Sequence, residues 1–205
     1  MSLKETLDNL KQYEVYLAGP SVAGVIVRHD LSYHFFTAEA PRLIDDLHSH
    51  KRSFTSHVEY GAVRNHIYEI RGINPVSGKK LVNINCEMLC GKGGCASHKV
   101  VHSALNVVKV DEITTKQGES YSLAFDQFHK LELASDGPVI TRLHWSRIMQ
   151  PNTQIIVDND YLTNKCCAPT ATEDELWEMV KSCLAPAWEK AGGLEYDIFD
   201  GKLVG

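Results

Sequence analysis

The chain has 205 residues, an apolar fraction of 43% and a formal net charge of −5 at pH 7, which allows a sizeable core and a soluble surface. No long run of lysine or arginine occurs, so nucleic acid and anionic membrane are not expected partners. No apolar stretch approaches about 18 residues, so no transmembrane helix is expected.

Met1 to Tyr16 is charged and amphipathic and lacks the apolar core of a signal peptide, which points to a cytoplasmic protein. Within it Leu3, Leu7 and Leu10 share one helical face, predicting a short N-terminal helix over residues 2–12. From about residue 22 to 158 the texture changes to short β-branched and aromatic runs separated by turn residues. Predicted strands are Val25–Val27, Tyr33–Thr37, Leu43–Leu47, Phe54–Tyr60, Val63–Arg71, Lys80–Cys86, Ala104–Val110, Ser120–Ala124, Phe128–Leu133, Val139–Trp145 and Thr153–Val157. Asn74-Pro75-Val76-Ser77-Gly78 reads as a turn. Many short strands with no helix between them argue for a mainly β sandwich or barrel rather than a parallel α/β sheet.

The tail, about 170–193, is a helical extension. Thr172-Glu173-Asp174-Glu175 is a capping box, and Leu176, Val180, Cys183, Leu184 and Ala187 then line one face, expected to pack on the outside of the barrel. Pro186 cannot donate to the helical ladder, which predicts a kink or a break and restart. Gly192-Gly193 ends the segment. Residues 1–205 are read as one domain.

Ten histidines are present, and three of them carry the functional reading. In His48-Ser49-His50 the two imidazoles share one face of a strand and can grip one metal ion. His129, after a predicted turn, is the candidate third ligand.

His50 is followed by a short polar turn, a strand from Phe54 to Tyr60, and Gly61. This resembles the first motif of the cupin superfamily. Gly118, Glu119-Ser120-Tyr121-Ser122-Leu123, Ala124, Phe125, Asp126, Gln127, Phe128 and His129 match the spacing of the second, with Ala124 and Asp126 where proline and glycine are usual. Residues 72–103 read as an inserted hairpin or loop between the two motifs. The resemblance covers about residues 25–148. It implies a double-stranded β-helix, or jelly-roll, barrel with a short N-terminal and a C-terminal helix.

The usual glutamate ligand is missing, since Phe54 or Thr55 stands at its place. The chain is thus similar to three-histidine cupins of the cysteine dioxygenase kind, and His144, fifteen residues after His129, matches their later pocket histidine. That similarity implies a catalytic role for His144, although Ser146 replaces the tyrosine usual two residues on. The stretch Leu47 to Gly61 is also similar to small uncharacterised bacterial and phage cupins.

His57 and Glu59 share a strand face and are candidates for an additional ligand or for support of one. Arg142, which shares the parity of His144, and Arg64 are candidate anchors for an anionic substrate. Tyr68 or Tyr121, with His144, is a candidate for a group just outside the metal ligands. Six cysteines occur. Cys86, Cys90 and Cys95, with His98, form a glycine-rich loop that can be read as a structural zinc site or as free thiols. Cys166 and Cys167 read as thiols.

Three functions are compatible with these residues. One is a mononuclear non-heme iron oxygenase, with Fe(II) at three neutral histidines and a small anionic molecule as substrate. Another is a non-catalytic cupin that binds a small molecule. The third is a structural zinc protein. A homodimer is the default expectation for assembly.

Overall fold

The computed structural model describes residues 3–74, 76–85, 97–158 and 171–191. Among the described residues thirteen strands form two antiparallel sheets, and two helices cover one of them. The order along the chain is α1 (Leu3–Leu10), β1 (Glu14–Gly19), β2 (Val22–Arg28), β3 (Leu31–Phe36), β4 (Leu43–His48), β5 (Phe54–Tyr60), β6 (Ala62–Ile73) and β7 (Lys80–Asn85). It continues with β8 (Ser97–His102), β9 (Leu105–Lys116), β10 (Ser120–Leu123), β11 (Phe128–Leu133), β12 (Val139–Trp145), β13 (Thr153–Val157) and α2 (Glu173–Ala191).

One sheet runs β1-β2-β3-β12-β5-β10 and the other β8-β7-β13-β4-β11-β6-β9. Eight of these strands make a jelly roll. In chain order they are β3, β4, β5, β6, β9, β10, β11 and β12, and they give facing sheets β3-β12-β5-β10 and β4-β11-β6-β9. That is the double Greek key. The pair β7 and β8 falls between β6 and β9, where the sequence predicts an inserted hairpin.

Alternation along the strands decides what faces inward. Phe54, Val58, Val63, Ile67, Leu123, Leu131, Leu133, Val139 and Leu143 fill the space between the sheets. The opposite parity of the first sheet, Ala23, Val25, Tyr33, Phe35 and Ile140, meets α2 through Leu176, Val180, Leu184 and Ala187. The helix therefore packs on the outside, as its stripe predicts. Its start is fixed by the capping box: the Glu175 amide donates to Thr172 Oγ1 at 3.3 Å, and the Thr172 amide donates to Glu175 Oε2 at 2.7 Å.

Two local expectations are refined. Of the kink or break expected at Pro186, the break does not occur: the helix is continuous through it. The proline forgoes one ladder bond, but Leu184 and Ala187 on either side of it are 0% and 4% exposed, and this burial holds the segment in register. Two strands are also added, β1 and β8. The turn before β11 forms without the usual proline and glycine: the Gln127 amide donates to the Ala124 carbonyl at 3.1 Å. Gly61, by contrast, is needed where it stands. Its φ is +82°, and a Cβ there would lie 2.8 Å from Ser135 Oγ.

Candidate metal centre

β4 ends at His48, but the extended trace continues. The Ser49 amide donates to the Gln154 carbonyl at 2.8 Å and the His50 amide to the Phe125 carbonyl at 3.1 Å. Gln150 Nε2 donates to the His50 carbonyl at 2.8 Å. This bracing keeps the alternation intact, so His48 and His50 face the same way. On β11, His129 stands directly opposite His48 in the ladder and shares its face.

The three imidazoles converge between the sheets. One ring nitrogen of each lies within 4.8 Å of the others, and His50 Nε2 is 2.9 Å from His129 Nε2. Ring centroids are 4.8 Å apart for His48 and His50, 4.6 Å for His48 and His129, and 5.1 Å for His50 and His129. Among the described residues this is the one group of three or more potential metal ligands that comes together.

The electrostatics favour ligation. Burial holds the His50 and His129 pKa values well below the usual histidine range, and the neighbouring imidazoles add to this. Both rings are therefore neutral, as ligands must be. Asn65, fully buried on β6, lies with its Oδ1 2.9 Å from His129 Nδ1. A carbonyl oxygen only accepts, so Nδ1 carries the proton and Nε2 is left with a bare lone pair facing the other two rings. The donor set thus fits a divalent ion of borderline softness.

Among the described residues no carboxylate joins this set. Phe54 turns inward, with its ring 4.9 Å from that of His50 and 6.5 Å from that of His129. Thr55 points to the other face and is exposed. Trp145 closes the aromatic wall, 5.1 Å from Phe54 and 5.9 Å from His50. Tyr121 is buried behind Phe54, its hydroxyl beside Ser56 and Asn65; burial raises its pKa.

The other candidates are not brought to the trio. On β12 the inward residues are Leu143 and Trp145, so Arg142 and His144 between and before them face outward. Arg142 pairs across the sheet with His57 and its Nε lies 2.8 Å from Glu59 Oε1. His57 Nδ1 is 2.8 Å from Ser120 Oγ, and His144 is exposed. These four side chains form a polar group on the outer face. Burial raises the Glu59 pKa while Arg142 opposes the rise. Arg64 lies on the outer face of the other sheet, where it pairs with Glu112 and Glu132, each at 3.3 Å. Tyr68 packs outside that sheet with Phe128 and Leu47. The cysteine loop falls on Cys86, Cys90 and Cys95, which lie outside the described residues, as do Cys166 and Cys167; the backbone of His98 belongs to β8.

A cavity of about 470 Å³ lies beside His50, the one member of the trio in its wall. Tyr16, Ser32 and Trp145 line it, and Lys51, Arg52 and Arg28 stand around it. Trp145 Nε1 donates to Ser32 Oγ at 2.7 Å, and the Tyr16 hydroxyl lies 2.9 Å from His34 Nε2. Tyr16 reaches His34 across Gly24, whose missing side chain leaves room for the ring. Burial raises the Tyr16 pKa and lowers that of His34 to about 4. Sequence reasoning passed over this group. Lys51-Arg52 did carry a signal, since it follows the second histidine directly; Tyr16, His34 and Asn65 carried none.

The strand order and the inward trio decide the architecture. The fold is that of a cupin. No family model and no curated protein matches the chain. Among solved structures it is similar to the Drosophila melanogaster CENP-C cupin domain, at 10% identity over 65% of this chain and 76% of that one, with a TM-score of 0.34. It is also similar to KdgF from Halomonas sp., at 15% identity over 67% and 92%, with a TM-score of 0.33. A third is the hydroquinone 1,2-dioxygenase from Sphingomonas sp. TTNP3 with 4-hydroxybenzoate bound, at 12% identity over 73% and 74%, with a TM-score of 0.35. Likenesses this remote say nothing of activity. Among the described residues no helix is long and apolar enough to cross a membrane.

Proposed function

We propose that this cupin holds one divalent metal ion on His48, His50 and His129 and works as a mononuclear non-heme iron oxygenase on a small anionic molecule. The observation that carries the reading is the His129 ring, fixed by Asn65 at 2.9 Å with its other nitrogen 2.9 Å from that of His50. Two adjacent ligands about 2.1 Å from one ion, at a right angle, stand about 3.0 Å apart.

An iron ion at such a site supplies Lewis acidity and one-electron chemistry toward dioxygen. The protein's own residues supply the rest. Asn65 orients His129 and keeps its proton on Nδ1. Phe54 excludes water from one side of the trio. The cavity beside His50, walled in part by Trp145, admits a ligand. An all-histidine set leaves the +2 charge of an ion uncompensated by the protein, which favours an anionic ligand in the adjoining cavity.

The test is anaerobic iron loading, followed by oxygen uptake with a panel of small carboxylates and thiols. Ligand-dependent uptake that disappears in His50→Ala supports the oxygenase. Stoichiometric metal and anion binding without uptake would leave a binding cupin and overturn the oxygenase reading.

A further inference from the structure

We infer that the cavity beside the histidine trio takes an organic carboxylate with an apolar body, its charged end held at the rim by Lys51 and Arg52. This deepens the proposed function by assigning the anion's anchors and the orientation in which it lies.

The first observation is charge. Arg28, Lys51 and Arg52 line the cavity, in a chain whose formal net charge is −5. No aspartate or glutamate is among the described residues that line it. Arg28 is partly compensated, with its Nε 3.1 Å from Asp30 Oδ1. Arg52 has no carboxylate partner among the described residues. Its NH1 donates to the His29 carbonyl at 2.7 Å. That bond fixes the guanidinium at the mouth and leaves its other donors free for a forked contact with a carboxylate.

The second observation is the rest of the lining, which includes Ile26, Tyr16 and Trp145. Ile26 is 37% exposed, a large apolar side chain left bare inside a concave site. The volume suits a small organic molecule. Tyr16 and Ser32 place hydroxyls on the same wall, already engaged with His34 and Trp145. A ligand with its carboxylate on Arg52 therefore lays its apolar body along Ile26 and Trp145 and turns its far end toward His50.

Position explains why these anchors serve and the earlier candidates do not. Lys51 and Arg52 follow His50 in the chain, and the turn that carries them is tied to the trio by the His50 backbone. Arg142 and Arg64 face outward and are committed to Glu59, Glu112 and Glu132.

The experiment titrates the full chain with cyclohexanecarboxylate and with its neutral isostere cyclohexanecarboxamide, by calorimetry, in zinc-loaded and metal-free protein. Metal content is measured in parallel. The carboxylate is expected to bind at least ten-fold more tightly than the amide, and to weaken as salt is raised. Arg52→Gln should weaken it ten-fold or more, and Lys51→Gln by a smaller factor, with metal content unchanged in both. Arg142→Gln should leave binding as in the wild type. Equal binding of acid and amide would overturn the inference, as would wild-type affinity in the Arg52→Gln, Lys51→Gln double variant. Rim-dependent carboxylate binding in a protein that takes up no metal would sink the metal reading and leave this one standing.

Discussion

His50 Nε2 and His129 Nε2 lie 2.9 Å apart, although 79 residues separate them in the chain. Two neutral ring nitrogens at that distance either share a proton or share an ion. Because the Asn65 carbonyl fixes the His129 proton on Nδ1, His129 can only accept at Nε2, which is the state a metal ligand requires.

Asn65 is accordingly expected to set metal affinity without touching the ion. Asn65→Leu should lower affinity about 10- to 100-fold, measured by competition with a chelator of known affinity. Asn65→Asp, which still accepts from Nδ1, should retain most of it. Equal affinity in all three proteins would show that the His129 tautomer is set by something else.

Gly24 makes room for Tyr16. A Cβ at this position would come 2.3 Å from the Tyr16 ring, so Gly24→Ala should push the ring off His34 and cost about 1–3 kcal/mol. A urea denaturation series checks this. An unchanged midpoint would mean that the ring moves freely, and with it the cavity wall.

Leu184, on the sheet-facing side of α2, is completely buried. Leu184→Ala should cost about 2–5 kcal/mol, read from the same denaturation curves, with metal content unaltered. A metal-depleted variant would contradict the separation of helix packing from the site.

Acid should destabilise the fold through His34. Burial lowers its pKa to about 4 from the ordinary 6.5, so the unfolded chain binds the proton first. Stability is full above pH 6.5 and falls as pH drops from 6.5 toward 4. At about 1.4 kcal/mol per unit the upper bound is roughly 3 kcal/mol. Among the described residues, Tyr16 and His50 interact with the ring, and His50 and His129, whose pKa values burial also lowers, add to the same acid limb. His34→Gln should flatten this limb of the stability curve, and an unaltered slope would place the acid sensitivity elsewhere.

Much of this was legible in the sequence, for identifiable reasons. Phe54–Tyr60, Phe128–Leu133, Val139–Trp145 and Thr153–Val157 are strands as read, because alternation is local information. The trio was legible because His48 and His50 share strand parity and His129 stands at a fixed motif spacing. Parity states which residues share a face, but not whether that face points inward. Arg142 and His144 do share a face, and it is the outer one, since Leu143 and Trp145 take the interior. The contact of Tyr16 with His34 spans three strands, and that of Asn65 with His129 spans 64 residues, so neither leaves a local trace. β1 escaped because Glu14–Gly19 adjoins an amphipathic helix whose pattern masks a short strand.

Metal stoichiometry of the purified, loaded protein tests the central claim most directly, set against His48→Ala and His129→Ala. About one divalent ion per chain is expected in the wild type. Almost none is expected in either variant, with the far-ultraviolet spectrum of a folded β protein retained. A wild type that takes up no ion, or variants that keep the full complement, would contradict the three-histidine centre.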